Sequence, residues 1–520
     1  MTRLTSVKAF ILLLLSLHVS VHLDVYAFGV AQGGIHGEVK CGELASSITP
    51  RTIDRSGGDI ATRNSPTTTQ RNDPFSDDDG ELAYYKPPTP GNVYKNTGFV
   101  KAEGTRLTLN GLPYEFGGTN AFYAALDYIM SEAELKYMLR EQARAGTSVI
   151  RVFSSFFDSV PPPSMMPEYG VFSESALRRL DLVLVEAAKR NIRVIIVLSN
   201  YWNFLGGMQK FVDVAYPSMG LPLETFYIDP YIREQWKGFV SVVLGRRNSI
   251  TGVAYRDDPT IFSYELANEP RTSKGWDKAR GRLPGATICD WVAEMSAFVR
   301  SQDGNHLLTI GDEGMRADVP ARPGDSRAWI NDGTEGVDWL CNLQYADVAT
   351  VHLYPDAWAF SPAEYQWLGP NYLQDRRDLA WARGKPIILE EYGMRRGWMD
   401  SREAYFGWVQ SLVSSLGFAG SLVWAAAHEP REGYDYGYHG YNDGQGYVFG
   451  LSGADTDGAA SVVRFNRAVK SRIDAEVPCL DVPPDGQWGC KQQSEWGKCV
   501  ERGGFMEAGV CDWSCGRCGT

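Results

Sequence analysis

Eight short apolar runs recur between Tyr114 and Ala425, and segments of helical period fall between most of them. The runs are Tyr114–Thr119, Ser148–Phe153, Arg193–Leu198, Ile261–Ala267, His306–Gly311, Val348–Tyr354, Pro386–Tyr392 and Gly420–Ala425. Helices are expected over Ser131–Ala145, Ser175–Arg190, Asp229–Leu244, Thr287–Ser301 and Arg402–Leu416. In the second of these, Leu177, Leu180, Val183, Leu184 and Ala187 repeat at the 3.6-residue period that puts them on one face. Eight strands alternating with helices predict an α/β fold, a closed (β/α)8 TIM barrel rather than an open doubly wound sheet. No GxGxxG follows the first run, which removes the dinucleotide-binding reading.

The fourth run shows where the chemistry belongs. Asp257-Asp258-Pro259 reads as a turn, because Asp bonds its own backbone and Pro cannot continue a ladder. The strand that follows ends in Asn268-Glu269-Pro270. Pro270 has no N–H, so the sheet stops there and a carboxyl stands at its tip. Barrels of this kind keep their reactive groups at the carboxyl ends of the strands. Other run ends are polar as well: Asn120, Arg151, His352, Tyr354, Glu391 and Trp424. A single strand-end Arg or His is an ordinary ion-pair group. It is their shared end of the barrel that points to a site.

Two carboxyls from separate strands, with Arg, His and Tyr around them, suit glycosidic-bond hydrolysis. One protonates the leaving oxygen, and the other attacks the anomeric carbon or activates water to do so. Glu390 and Glu391 both end the seventh run. Alternation along a strand lets only one of them face the barrel mouth, leaving the other for an ion pair in the helix layer or at the rim.

With these stretches in view, the chain resembles the β-mannanases of glycoside hydrolase family 5, of the plant and fungal type. The likeness rests on Gly146–Arg151, Ile250–Phe262, Glu265–Arg271, Val351–Asp356 and Lys385–Gly393, and covers roughly residues 95–473. It implies a retaining endo-β-1,4-mannanase. Glu269 would be the acid/base and Glu391, before Tyr392-Gly393, the nucleophile. Asn268 would bind the 2-OH of the reacting sugar. Arg151 and Tyr354 would hold the nucleophile ionised, with His352 beside them. Trp424 would form the platform under the sugar, and Arg271 would reach toward the leaving group. The stretch Ser199-Asn200-Tyr201-Trp202-Asn203-Phe204 departs from the Asn-Asn-Trp-Asp more usual in the family. That departure puts the third loop's part in the site in question. Tyr434, Tyr436, Tyr438 and Tyr441, between His428 and Tyr447, are candidates for a further cleft wall. A β-1,4-glucanase of the same family, or a polysaccharide-binding protein without activity, are the alternatives.

The reaction needs no cofactor, and no HExxH or dense His/Asp metal-ligand cluster occurs in the sequence. A net charge of -12 makes phosphate backbones poor partners, so nucleic acid is not expected and a neutral polymer is left open; the resemblance implies a β-mannan polysaccharide as partner. A monomer is expected.

Residues 1–27 carry Arg3, Lys8, an apolar core over Ala9–Leu15, and Val25 and Ala27 before a cleavage point. This is the pattern of a secretory signal peptide, too short and too interrupted to span a membrane, so the protein is expected to be secreted. Residues 28–92, with Ser65–Thr69 and Lys86–Pro90, read as a disordered linker. The catalytic domain is expected over 93–475.

Of nine cysteines, six crowd the end: Cys479, Cys490, Cys499, Cys511, Cys515 and Cys518. Residues 476–520 resemble the ShK-toxin-like six-cysteine module, which implies the pairs Cys479–Cys518, Cys490–Cys511 and Cys499–Cys515. Zinc is the rival reading, but a secreted segment without histidine favours disulfides. Cys41, Cys289 and Cys341 remain, and with an odd total Cys41 is the expected unpaired one.

Overall fold

The eight expected runs form the eight strands of one parallel sheet. A computed structural model describes residues 98–476, apart from 128, 159–162, 320–329, 334, 428–446 and 452–455. The expected signal peptide (1–27), the expected linker (28–92), the candidate cleft wall Tyr434–Tyr441 and the six cysteines from Cys479 on therefore lie outside the described residues.

An antiparallel hairpin comes first: β1 (Val100–Glu103), β2 (Arg106–Leu109) and β3 (Leu112–Pro113). The barrel strands follow as β4 (Phe116–Asn120), β5 (Val149–Phe153), β6 (Arg193–Val197), β7 (Ile261–Glu265), β8 (Leu307–Thr309), β9 (Ala349–Leu353), β10 (Ile387–Tyr392) and β11 (Gly420–Val423). Their order is β8-β7-β6-β5-β4-β11-β10-β9. The seam between β8 and β9 is spanned by Asp347 N–H donating to Leu308 O at 2.9 Å and His352 N–H to Glu313 O at 3.0 Å. Every residue of these eight strands is buried. That explains why the runs are apolar throughout and do not alternate.

The floor of the barrel is filled by residues from successive strands or their starts: Phe116, Val149, Ile195, Phe262, Leu307, Val348, Ile388 and Leu422. Val100 and Leu107 of the hairpin join this cluster and plug the amino-terminal end. The polar groups therefore collect at the other end, above a dry floor.

Helices pack outside, with starts that the sequence encodes. Ser131 caps Glu132–Arg144 in a capping box with Glu134. Asp229 caps Pro230–Leu244 by accepting from Ile232 N–H at 2.9 Å, with Pro230 at the first helical position. Helices Glu174–Ala188, Ala286–Gln302 and Arg402–Leu416 match expectation within two residues at each end. The helix Ala459–Glu476 was not foreseen. Its Asn466 packs so closely on Gly117 of β4 that a Cβ there would collide with it.

Cys289, in the helix Ala286–Gln302, is disulfide-bonded to Cys341, 52 residues on, with 5.9 Å between Cα atoms. This pairing was left open by the sequence.

Strand β10 departs from the expected alternation. Its register against β9 runs Leu389↔Val351 and then Glu391↔His352, so Glu390 is an extra residue, a β-bulge. Ile388 faces the barrel floor and Leu389 and Tyr392 the outer core, while Glu390 and Glu391 both turn inward. The expectation that one of them faces the helix layer or rim is thus corrected: an inserted residue removes the period of two on which it rested. Asn120 Nδ2 donates to the Glu390 carbonyl at 3.1 Å and ties the bulge to β4.

Candidate active site

At the carboxyl ends of the strands, buried charge surrounds Arg151. Its Nε and Nη2 donate to Glu265 Oε2 and Oε1 at 2.9 and 2.6 Å. Nη2 also reaches Asn268 Oδ1 at 2.7 Å, and Nη1 reaches Asn120 Oδ1 at 3.1 Å. Nη1 further donates to Glu391 in a short bond. The side chain is fully buried, so its planar fork fixes all these oxygens at once.

Glu391 accepts a second bond, from Tyr354 Oη at 2.7 Å. Glu269 faces it across the mouth. Pro270 bars the right-handed helical conformation from the residue before it, and Glu269 takes φ +48°, a region costing a non-glycine residue about 1 kcal/mol or more. Its carboxylate lies 2.7 Å from His352 Nδ1 and accepts from Trp202 Nε1 at 2.5 Å. His352 Nδ1 is also 3.6 Å from Glu391, and its Nε2 is 3.4 Å from Glu390.

Asn268 Nδ2 donates to Asn200 Oδ1 at 3.0 Å, and the two residues are joined by a parallel bridge. Arg271 is gripped by both oxygens of Glu313, at 2.7 and 2.6 Å, with its guanidinium 5.7 Å from the Trp202 ring. Trp424, half-buried, stacks on Phe122 with centroids 5.1 Å apart and planes 8° apart, and meets Phe153 edge-on. The Trp424–Ala425 peptide is cis. Tyr447, the end of the tyrosine loop that is described, packs edge-on against Tyr354 at 5.2 Å.

The eight site residues expected from sequence therefore gather around one mouth. Five more partners went unassigned: Glu265, Glu390, Glu313, Asn200 and Trp202. Glu265 was visible as a charge inside the apolar run Ile261–Leu266, where a packing role alone has no use for it. Trp202 belongs to the loop whose part was in question, and the structure brings it directly to Glu269.

One oxygen each of Glu269 and Glu391 and one His352 nitrogen lie within 4.8 Å of one another. Three such groups can hold a metal ion, but here the Arg151 guanidinium is bonded to Glu391 and competes with any cation. The grouping suits a pair of acids sharing a bond between them.

The charges are coupled. Burial opposes ionisation of Glu269, yet His352, Arg271 and the Trp202 N–H outweigh it and hold its pKa below the usual carboxylate range. Burial pushes Glu391 up, although His352 and Arg151 pull the other way. Burial also disfavours the His352 cation, but Glu391, Glu269 and Glu390 overcome that and raise its pKa well above the ordinary value.

Residues 97–404 match the family described as GH family 5 beta-mannosidase-like. The chain belongs to glycoside hydrolase family 5. Like other members, it is a glycoside hydrolase built on the TIM barrel. It is 32% identical over 365 residues to mannan endo-1,4-beta-mannosidase 1 of Solanum lycopersicum, covering 66% of this chain and 87% of that protein. It is 34% identical over 383 residues to mannan endo-1,4-beta-mannosidase 1 of Oryza sativa subsp. japonica, covering 69% and 84%. Among solved structures, the endo-1,4-beta-D-mannanase of Thermotoga petrophila superposes with a TM-score of 0.61 at 31% identity, covering 68% of this chain and 100% of that one. The endo-1,4-beta-mannanase of Rhizomucor miehei gives 0.60 at 28%, covering 72% and 100%.

Proposed function

We propose that this family 5 hydrolase is a secreted endo-β-1,4-mannanase that cleaves internal bonds of mannan, galactomannan or glucomannan with retention. The observation that carries the mechanism is the closeness of Glu269 and Glu391, with oxygens within 4.8 Å. Carboxyl groups of retaining pairs stand about 5–5.5 Å apart, and oxygens this close suit that spacing. The substrate class is supported by the relatives at 31–34% identity, which are mannan endo-1,4-beta-mannosidases.

In this reading the Glu391 carboxylate attacks the anomeric carbon as the glycosidic C–O bond breaks, and Glu269 gives its proton to the leaving oxygen. Water then attacks the anomeric carbon, the C–O bond to Glu391 breaks, Glu269 takes the proton from that water, and Glu391 leaves as the carboxylate. Arg151 and Tyr354 stabilise the Glu391 anion against the burial that pushes its pKa up, and Asn268 offers its remaining amide hydrogen to the 2-OH. Trp424, stiffened by Phe122, presents a ring to the apolar face of the sugar.

His352, Arg271 and Trp202 favour the ionised form of Glu269, whereas the first step needs it protonated. Substrate reverses this in two ways. It removes water from the mouth, which disfavours the anion. The leaving sugar also competes for Trp202, whose N–H stabilises that anion and which as a residue is 43% exposed.

Secretion is supported by the Cys289–Cys341 disulfide, a bond that persists in oxidising compartments, together with the leader-like residues 1–27. Removal of residues 476–520 is expected to leave activity on soluble substrate nearly intact, because the barrel strands all precede them. The test of substrate class is release of reducing ends from mannan and from a soluble cellulose derivative. Faster release from mannan is expected, and faster release from the cellulose would make the protein a glucanase.

A further inference from the structure

Below the Glu269–Glu391 pair lies a second pair of acids that the reaction does not use directly. Glu265 of β7 and Glu390 of β10 are both fully buried and flank one nitrogen, Arg151 Nη2, at 2.6 and 3.8 Å, and each acts on the other's charge. Two carboxylates cannot bond, since each only accepts. Glu390 Oε1 is buried with no donor among the described residues. Its Oε2 faces His352 Nε2 at 3.4 Å and Arg151 Nη2 at 3.8 Å. A proton between the two acids satisfies both.

We propose that Glu265 and Glu390 share one proton, and that Glu390 is a positioning residue which acts through His352 on the protonation of Glu269. The proposal rests on the double-displacement reading of the site. Groups facing the pair are Arg151 from β5, His352 from β9, Glu391 from β10, and Glu269 and Asp312 from the loops after β7 and β8. In the innermost set, four carboxyls (Glu265, Glu269, Glu390, Glu391) stand against two cations, Arg151 and His352; Arg271, which also faces Glu269, is matched by Glu313 and Glu335. Two protons make this set neutral, one of them within the lower pair and the other on Glu269 before attack. After attack Glu391 is an uncharged ester and Glu269 an anion, so the set stays neutral provided that the lower pair keeps its proton. With both lower acids ionised, the same site would carry an excess negative charge in each state, in surroundings where unpaired charge is costly. The lean of the two acids agrees. Burial pushes Glu265 well above the usual range, while Glu390 is held below it, Arg151 and His352 outweighing burial.

The inward bulge makes this possible, because only an inserted residue puts Glu390 under His352 while Glu391 remains at the mouth. His352 then bridges the two layers, with Nδ1 on the acid/base and Nε2 on the lower pair.

The direct test is infrared spectroscopy of the full chain at neutral pH, reading the carbonyl stretch of neutral carboxylic acids. Wild type should show a band that is lost in Glu390→Gln and also in Glu265→Gln; the second variant guards against a folding failure in the first. Because Asp312 and Glu313 also contribute neutral acid, the readout is the difference between variant and wild type. An unchanged band in both variants overturns the shared proton.

The pH profile of kcat/KM tests the link to Glu269. Glu390→Leu deprives His352 of its acceptor, so the imidazolium is less stable and Glu269 loses a charged partner. The basic limb should move up by about one pH unit, and less in Glu390→Gln, which keeps an acceptor oxygen. Limbs unmoved in both variants overturn the positioning role. A lost band in a protein inactive on every β-glycan would leave the shared proton standing while the proposed activity fails.

Discussion

Arg151 meets Glu265 fork to fork, with Nε and Nη2 on its two carboxylate oxygens at 2.9 and 2.6 Å and neither side chain exposed to solvent. Gly311 packs against the Glu265 carboxyl so closely that a Cβ there would collide with it. The guanidinium is thereby fixed from below, and its Nη1 is left for Glu391.

Arg151→Lys keeps the charge and loses the fork. One ammonium cannot serve Glu265, Asn268 and Glu391 together. On mannan, kcat is expected to fall about 100-fold, the loss typical of removing one preorganised donor, and the melting temperature to fall with it. Wild-type kcat in this variant would show that charge alone suffices.

Trp202→Phe keeps a ring beside Arg271 and removes the N–H bonded to Glu269. That bond favours the Glu269 anion, so its loss raises the pKa of the acid/base. The basic limb of kcat/KM should shift to higher pH by up to about one unit. A downward shift, or none, would mean that the loop does not act on Glu269.

Much of this site was legible because a barrel buries its strands on both faces and puts chemistry at their ends. Apolar runs then give the strands, and the polar residues ending them give Arg151, Asn268, Glu269, His352, Tyr354 and Glu391. Glu390 was not legible. With Glu391 placed at the mouth, residue alternation sends its neighbour outward, and a bulge leaves no mark in a run such as Ile387–Tyr392. Trp202 was obscured because a loop contact depends on how the chain returns over the mouth, which no local pattern encodes. The hairpin β1–β3 and the helix Ala459–Glu476 are defined by the barrel surfaces they cover.

Asp312 gives the fold a pH dependence. Its carboxyl is pushed from an ordinary 3.8 to about 8, chiefly by burial, although the Asn342 amide bonded to it at 2.7 Å pulls the other way. Between these values the folded chain holds a proton that the unfolded chain has released. Stability therefore falls as pH rises through that window, by at most about 1.4 kcal/mol per unit for this group, and levels off above it. Asp312→Asn should flatten the melting temperature between about pH 4 and 8. Glu313, raised to about 7 mainly by burial, leaves a residual slope. An unchanged slope would show that Asp312 ionises freely in the fold.

The Cys289–Cys341 bond closes a separation of 52 residues, for which chain entropy gives a stabilisation of about 4 kcal/mol. The double variant Cys289→Ala/Cys341→Ala should unfold at lower denaturant by an amount in the range of about 2–4 kcal/mol, with kcat on mannan unchanged at 25 °C. A variant as stable as wild type would show that the reduced chain is already held together there.

Azide tests most directly which carboxylate attacks the sugar. In Glu391→Ala the nucleophile is gone and the acid/base remains, so an aryl β-mannobioside with added azide should yield the α-mannosyl azide, with turnover partly restored. Glu390→Ala keeps the nucleophile and should form no azide product. An α-azide from Glu390→Ala and none from Glu391→Ala would contradict the assignment, placing the attacking oxygen one residue earlier, on the bulge.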